Sequence, residues 1–378
     1  MARGLGRRSR GFKEVSLSLP HLQDFPPLSL PLRPPYPPME AQLVERIPKE
    51  GDWLYEPKWD GFRCLAFKDG KTVALQSKSG QPLGRYFPEL VKAVAAIRSP
   101  RCVLDGEIVI LRRGRLSFDD LLQRIHPAES RVAKLSTETP AKLVVFDLLV
   151  DGNGRSLVEE PLSERRRHLE SFFRKALPRD SVVLSPAARH RSTALSWMRD
   201  LESWGCDGVI AKQLEADYRS GDRSGMVKVK RQRTADCVVG GFRYEEGGKG
   251  IASLLLGLYD PEGRLDHVGF TSSFSARERT ALRSRILPLQ GPPGFTGKSP
   301  GGPSRWSTKR SGEWEQLKPV LVCEVRYDHF SGDRFRHGTK FLRWRPDKSP
   351  KSCTFDQVKT SGPAKSSPGF PGLFKESG

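Results

Sequence analysis

The chain has 378 residues, enough for two or three domains that each bury a core. The chain has 64 lysine and arginine residues against 44 acidic residues, a formal net charge of +20. This excess of positive charge predicts a polyanionic partner such as a nucleic-acid backbone. A generally basic soluble protein is the alternative. No apolar run approaches the roughly 20 residues that span a bilayer, and six scattered cysteines without a Cys-x-x-Cys pair argue against a zinc module or a disulfide framework.

Both ends of the chain are predicted to be disordered. Residues 1–38 form a basic, proline-rich leader whose composition offers too little apolar surface to fold alone. An organellar transit peptide, or a start codon placed too far upstream, would also explain the arginines at its beginning. Residues 358–378 are rich in Gly, Pro, Ser and Lys, which predicts a flexible tail.

Residues 39–234 are predicted to form a domain in which strands alternate with helices. The segment Trp53–Tyr55 is strand-like, and Asp60-Gly61 predicts a tight turn shortly after it. Apolar runs predict further strands over 102–111, 143–149, 208–211 and 226–230, and helical periodicity is clearest over 162–177 and 193–204. Because polar motif residues lie at the strand ends, we expect a pocket between two sheets.

Residues 235–357 are predicted to form a second, smaller domain. Strand-like runs cover 238–244, 253–259, 266–271 and 320–327, with one helical segment over 275–286. Several short strands separated by turns favour a small barrel. The segment 291–312 is rich in Gly, Pro, Ser and Thr and is expected to be a long loop within it.

The segment 56–63, Glu-Pro-Lys-Trp-Asp-Gly-Phe-Arg, places one lysine beside a carboxylate, a turn glycine and an arginine. A lysine becomes a nucleophile only after losing a proton, and burial or neighbouring cations lower its pKa enough for that. Arg63 adds a forked donor that suits a phosphate. A surface turn with a solvated Lys58 would have the same residues, so the rest of the chain must supply the matching site.

Further motifs follow in order along the chain. Glu107 lies in an apolar strand, where a lone charge is costly unless it is paired. Lys228 and Lys230 alternate with valines, so both side chains point to one face, where an anion between them would offset their repulsion. The segments concerned are Leu104–Val109, Val145–Leu148, Asp207–Lys212 and Met226–Lys230.

These segments, in this order, resemble the covalent nucleotidyltransferases, specifically the ATP-dependent DNA ligases. The flanking sequence is most similar to the small stand-alone bacterial ligases of the LigC type. Near the C-terminus, Leu342–Lys348 resembles the motif that closes the last domain of that family. The resemblance covers roughly residues 38–357. Each motif is modest alone, but the set in sequence is specific.

The resemblance implies an α+β fold. A nucleotidyltransferase (ATP-grasp-like adenylation) domain of antiparallel sheets and helices is followed by an all-β OB-fold domain. The implied enzyme is a DNA ligase that uses ATP and Mg²⁺, with Mn²⁺ as an alternative, to seal nicks in duplex DNA. Its three steps are adenylation of a lysine, transfer of AMP to the 5′-phosphate, and attack by the 3′-hydroxyl.

The resemblance also implies a cellular setting. DNA repair is the expected process, with replication and recombination as related ones, and repair proteins are expected to act in trans. A monomer in the bacterial cytoplasm, on the nucleoid when bound to DNA and without membrane contact, is expected.

Residue by residue, the resemblance implies Lys58 as the nucleophile and Lys228 and Lys230 as catalytic cations. Phe146 is expected to stack on adenine, with an ordinary core position as the alternative. Glu107 is expected to meet a ribose hydroxyl or Mg²⁺, with an ion pair to an arginine as the alternative. The full predicted nucleotide site contains Glu56, Lys58, Arg63, Lys78, Glu107, Phe146, Arg223, Lys228 and Lys348.

Two residues depart from the family pattern. Asp207 stands where glutamate is usual, and its shorter reach favours binding of Mg²⁺ through water, so Glu107 and Asp207 are the predicted metal ligands. Lys78 stands where arginine is usual. Lysine keeps the charge but loses the bidentate fork, so its contact with the nick phosphate should be less directional.

Arg345, Asp347 and Lys348 belong to the closing motif of the second domain. In relatives this domain swings over the pocket, and the basic residue orients the pyrophosphate leaving group. A basic patch that only touches DNA is the alternative.

Two other functions stay open on the sequence. An RNA ligase or a GTP-using capping guanylyltransferase shares the Lys-x-Asp-Gly chemistry, although the flanking residues favour a DNA ligase. A non-catalytic DNA-binding module would have the same basic surface but would need none of the acidic motif residues. Retention of a covalent nucleotide on the protein would exclude such a module.

Overall fold

The computed structural model describes residues 25–176, 180–200, 205–231, 233–246, 250–301 and 313–358. Two sheets dominate the part before residue 231. In the first sheet the strand order is β1–β10–β9–β2, and in the second it is β4–β3–β5–β7–β8 with β6 beside β5. Most pairs are antiparallel, as predicted, whereas β1 with β10 and β7 with β8 are parallel. The strands are β1 (Gln42–Val44), β2 (Trp53–Lys58), β3 (Phe62–Asp69), β4 (Thr72–Ser77), β5 (Arg101–Arg112), β6 (Arg115–Leu116), β7 (Ala141–Val150), β8 (Val182–Leu184), β9 (Gly208–Gln213) and β10 (Met226–Lys230).

Helices cover the outer surfaces of these sheets. Pro88 lies in the first turn of α1. A backbone N–H there would have no partner within the helix, so proline is well tolerated at this position. Along α4, Leu162, Leu169 and Phe172 recur at helical spacing and are buried. The helices are α1 (Pro88–Ala95), α2 (Phe118–Gln123), α3 (Glu129–Glu138), α4 (Leu162–Ala176) and α5 (Arg191–Asp200). The predicted helix over 193–204 therefore begins earlier, and its residues 201–204 lie outside the described residues.

The proline-rich segment 25–38 packs against the second sheet, so its predicted disorder is wrong for this part of the leader. Leu28 and Leu30 are buried in one cluster with residues of β3, β4 and β7. The fully buried Gln76 makes two hydrogen bonds to the Tyr36 backbone, at 2.8 and 2.7 Å. Prolines lower the entropy lost on ordering, and a few apolar contacts then suffice to hold the segment. Residues 1–24 lie outside the described part.

The part after residue 233 contains one main sheet with the strand order β13–β12–β11–β15–β18, and β14 beside β11. Its outer strands meet at a single bridge between Thr271 and Thr339, so the sheet curls toward the predicted barrel without closing along its full length. A small hairpin of β16 and β17 lies beside it. The strands are β11 (Arg233–Tyr244), β12 (Ile251–Tyr259), β13 (Leu265–Thr271), β14 (Glu315–Gln316), β15 (Val322–Tyr327), β16 (Phe330–Ser331), β17 (Arg334–Phe335) and β18 (Lys340–Trp344).

One helix, α6 (Ala276–Ile286), packs on this sheet. Ser275 and Glu278 form a capping box that satisfies free amides at its start. The predicted loop 291–312 is described only as far as residue 301. Of the predicted tail 358–378 only Val358 is described, and it is buried, so the tail does not begin there. Within the described parts of the chain, no helix is both long and apolar enough to cross a membrane.

Candidate active site

Lys58 is the last residue of β2, at the point where the chain crosses from the first sheet to the second. The loop 59–61 leads directly into β3. A Cβ at Gly61 would lie 2.1 Å from the Ile108 carbonyl oxygen, so glycine is required for close approach to β5. This geometry explains why a glycine follows Asp60, and it places the lysine at the mouth of the space between the sheets.

A cavity of about 200 Å³ occupies that space. Seven of the residues predicted for the nucleotide site line it, so the structure brings together side chains from five strands and one loop. They are Glu56, Lys58, Arg63, Lys78, Glu107, Phe146 and Lys228. Sequence reasoning missed the wall formed by residues 38–41, which carry no motif signal of their own.

The Lys58 ammonium lies 2.8 Å from the Asp207 carboxylate. Burial lowers the pKa of Lys58, but the charges of Asp207, Glu107 and Asp60 outweigh burial and raise it above the ordinary lysine value. The expected lowering of the Lys58 pKa is therefore wrong for this arrangement of charges. The amine becomes a nucleophile only when the negative charge around it is offset by other cations.

Glu56 is almost fully buried at the inner end of the cavity. One of its oxygens lies 3.0 Å from the Lys212 ammonium. The other, Oε1, lies 3.7 Å from Arg166 and has no hydrogen-bond partner among the described residues. Burial raises the pKa of this carboxyl despite the two cations. A buried acceptor facing a cavity favours a ligand that brings a donor.

Phe146 forms one wall, and two cations lie close to its ring. The Arg63 guanidinium and the Lys212 ammonium each lie 4.5 Å from the ring centroid. Arg63 gives two hydrogen bonds of 2.6 Å to Asp105, which also accepts one from the Tyr218 hydroxyl at 2.7 Å. The fork of Arg63 is thus engaged inside the protein and not directed to a phosphate, contrary to the sequence-based expectation. The arrangement holds the aromatic ring in place.

Glu107 and Asp207 supply carboxylates on either side of Lys58. Burial raises the pKa of Glu107 to about 7, although Arg63 and Lys58 oppose that shift. No ion pair to an arginine within 4 Å satisfies Glu107 in the described residues, which disfavours the alternative of an internal pair. Two carboxylates close to cationic side chains are the kind of incomplete ligand set that suits Mg²⁺, which keeps several waters and binds substrate phosphates.

Lys228 and Lys230 point to the same side of β10 but reach different partners. Lys228 lines the cavity, and burial together with the charges of Lys58 and Lys78 lowers its pKa. Lys230 lies 4.0 Å from Asp207 and 3.0 Å from Asp328 of the second domain. Of the two predicted catalytic lysines only Lys228 therefore lines the cavity, and its charge close to Lys58 and Lys78 favours an anion there.

Lys78 lines the cavity, whereas the predicted Arg223 does not, and both contact one carboxylate that sequence reasoning missed. Glu40 lies 3.0 Å from the Lys78 ammonium and 3.1 Å from the Arg223 guanidinium. Its backbone amide donates to the Asp222 carbonyl oxygen at 2.8 Å. Residues 40, 78 and 223 are distant in sequence, so only the fold reveals the cluster.

Two family models match the chain. The ATP dependent DNA ligase domain matches residues 38–230, and the ATP dependent DNA ligase C terminal region matches residues 247–348. The chain belongs to the ATP-dependent DNA ligases. It is therefore an enzyme that forms phosphodiester bonds in DNA at the expense of ATP, with the nucleotidyltransferase and OB-fold domains that its sequence predicts.

The relatives of this ligase include stand-alone bacterial proteins of similar length. DNA ligase C1 of Mycolicibacterium smegmatis is 46% identical over 88% of this chain and 96% of its own length. DNA ligase C of Mycobacterium tuberculosis is 42% identical over 92% of this chain and 100% of its own length. The multifunctional non-homologous end joining DNA repair protein LigD of the same species is 30% identical over 80% of this chain but only 37% of its own length.

The closing motif of the ligase lies away from the cavity. Lys348 is 3.8 Å from Asp236, and Arg345 lies 2.9 Å from Asp236 and 2.7 Å from Asp347. These cations are held by carboxylates of the second domain or of the motif itself, and none of the three motif residues lines the cavity. The structure therefore does not bring the predicted Lys348 to the other site residues.

The second domain contacts the first through the flanks of the β16–β17 hairpin, at Asp60, which lies close to Lys58 in sequence. Arg336 lies 3.1 Å from Asp60 and 4.0 Å from the centroid of the Phe118 ring. Asp60 also lies 3.4 Å from His329. Although burial opposes it, the Lys230 ammonium holds the pKa of Asp328 at about 2. Sequence reasoning missed these partners because they lie outside the motifs.

Proposed function

We propose that this ligase seals nicks in duplex DNA through a lysyl-AMP intermediate on Lys58. The observation that carries the proposal is the position of Lys58. Its amine lies at the mouth of a cavity lined by Lys228, Glu107 and a buried aromatic wall. Attack of this amine on the α-phosphate of ATP would form the N–P bond and release pyrophosphate. Lys228 would stabilise the charge that develops on the α-phosphate oxygens.

The inner end of the cavity would bind adenine. Phe146 offers a ring for stacking, and Glu56 Oε1 is a buried acceptor without a hydrogen-bond partner. The exocyclic amino group of adenine is a donor, whereas guanine has a carbonyl oxygen at the same ring position. The orphan acceptor therefore supports ATP over GTP and disfavours a capping guanylyltransferase.

Two carboxylates, those of the half-buried Glu107 and of Asp207, are suited to binding a divalent cation. We propose that they would hold Mg²⁺, or Mn²⁺, directly or through water. The ion would supply Lewis-acid polarisation of the phosphate and charge neutralisation. Asp207 would then release Lys58 from their 2.8 Å ion pair, because its charge would be shared with the ion.

In the second and third steps the 5′-phosphate of a nick would receive AMP and the 3′-hydroxyl would displace it. Lys78 and Arg223 at the cavity mouth are the proposed cations for that 5′-phosphate. The net charge of +20 supports duplex DNA as the partner. The DNA repair protein LigD among the relatives supports a role in repair. A monomer in the bacterial cytoplasm, on the nucleoid when bound to DNA, remains our expectation.

Incubation of the purified protein with labelled ATP or GTP, followed by nicked DNA or nicked RNA, tests this function. Label from ATP should attach to the protein, move to the 5′-phosphate of nicked DNA, and leave as AMP on sealing. Label from GTP, or transfer only to RNA, would contradict the proposal.

A further inference from the structure

Glu40 occupies the place between two cations at the mouth of the cavity. Its Oε2 lies 3.0 Å from Lys78 Nζ and 3.1 Å from an Arg223 terminal nitrogen. The backbone of Glu40 is fixed against the 222–223 turn by its amide hydrogen bond to Asp222. One carboxylate oxygen thus contacts both an ammonium and a guanidinium. A phosphate oxygen binds between the same two groups in the same way.

Stability does not explain these pairs. The side chains of Lys78 and Arg223 are 57% and 69% exposed, and ion pairs at such exposure contribute little to folding. The hydrogen bond from Lys78 lowers the pKa of Glu40, so the carboxylate is charged at neutral pH. Lys78 and Arg223 are therefore held by one carboxylate, through ion pairs that are weak enough to exchange.

We propose that Glu40 is an internal stand-in for the 5′-phosphate of the nick and is displaced from Lys78 and Arg223 when that phosphate binds. The inference rests on the proposed function, which gives those two cations the nick phosphate. A phosphate monoester has more charge and more acceptor oxygens than one carboxylate, so it binds the two cations more strongly than Glu40 does and displaces it. A 5′-hydroxyl brings neither and leaves Glu40 in place. Glu40 thus lowers the affinity of the protein for a nick with a 5′-phosphate and has little effect on a nick with a 5′-hydroxyl.

Binding of nicked DNA to the adenylated protein, without divalent cation and with a 3′-deoxy terminus to prevent sealing, tests the proposal. Wild type, Glu40→Gln and Glu50→Gln are compared on nicks with a 5′-phosphate or a 5′-hydroxyl over a series of salt concentrations. Glu50 lies on the exposed loop before β2, so Glu50→Gln makes the same change of charge away from the cavity.

Glu40→Gln should bind the 5′-phosphate nick about fivefold more tightly, because weak ion pairs no longer compete. The slope of log affinity against log salt should steepen by about 1, since one opposing charge is gone. The 5′-hydroxyl nick should gain less than the 5′-phosphate nick, and Glu50→Gln should behave as wild type.

Unchanged or weaker binding of the 5′-phosphate nick by Glu40→Gln would overturn the proposal, as would an equal gain on both nicks. Failure of the proposed function can be distinguished from failure of this inference, because the wild type itself would then show no adenylation or no binding to nicked DNA.

Discussion

At the scale of single residues, the site depends on carboxylates that the protein leaves incompletely satisfied. Glu56 keeps one oxygen without a hydrogen bond, and Glu107 carries a pKa of about 7 because of burial. Such groups destabilise the ligand-free protein and gain partners when ligand binds. The sequence predicted both residues from their motifs, but not the surroundings of their oxygens, which for Glu56 include Arg166 and Lys212 across the fold.

Replacing Glu56 by glutamine tests the adenine assignment. The KM for ATP in self-adenylation should rise about tenfold, because glutamine keeps the shape but weakens the acceptor and the pairing with Lys212. Sealing of a nick that already carries AMP should change much less. Equal losses in the two assays would instead indicate a general structural role.

Replacing Glu107 by glutamine tests the charge of the site through stability. The pKa of this carboxyl is about 7 in the folded protein but near the ordinary glutamate value of 4.5 in the unfolded chain, so rising pH across that window favours the unfolded state. Glutamine does not ionise, so Glu107→Gln should not lose folding stability in this way as the pH rises. Its melting temperature, compared with wild type without ligand, should differ little at the acidic end and be a few degrees higher above pH 7. A difference that does not vary with pH would contradict the assignment.

At the scale of elements, sequence patterns located the strands of the site well. The strand β10 has its predicted bounds, and β5 and β7 extend the predicted runs by one or two residues at each end, because long apolar runs specify buried strands. The packed segment 25–38 was not predicted. Its composition indicates disorder, and its order depends on distant partners such as Gln76 and Tyr218.

This segment leads into the cavity wall formed by residues 38–41, so its docking should control nucleotide affinity. Gln76→Ala removes both hydrogen bonds to the Tyr36 backbone. We expect a several-fold higher KM for ATP with kcat less affected, and a lower melting temperature. Gln81→Ala, a nearby exposed glutamine, is the matched control. Unchanged KM in Gln76→Ala would show that the segment does not shape the pocket.

At the scale of the whole molecule, Arg336 beside the β16–β17 hairpin of the second domain contacts Asp60 of the first domain, while Lys348 lies at Asp236. If Lys348 orients pyrophosphate in the first step, the domain must turn, and the contacts of Asp60 with Arg336 must break. Motif order suggested two domains, but no local pattern could predict a contact between residues 276 positions apart.

Arg336→Ala should therefore shift the balance between the two arrangements. Self-adenylation should become several-fold faster, because the contact that keeps Lys348 away is weakened, while sealing of a pre-adenylated nick should slow. The exposed Arg264, which pairs within its own domain, gives the control Arg264→Ala. Slower adenylation in Arg336→Ala would mean that the hairpin contact belongs to the adenylation arrangement itself.

The identity of the nucleophile is tested most directly by the intact mass of the purified protein after incubation with ATP and Mg²⁺. Wild type should gain the mass of one AMP and lose it on addition of nicked DNA. Lys58→Ala should gain nothing, yet should still seal a nick that already carries AMP, because the last step does not use the lysine amine. An AMP adduct on Lys58→Ala equal to that of wild type would contradict the account.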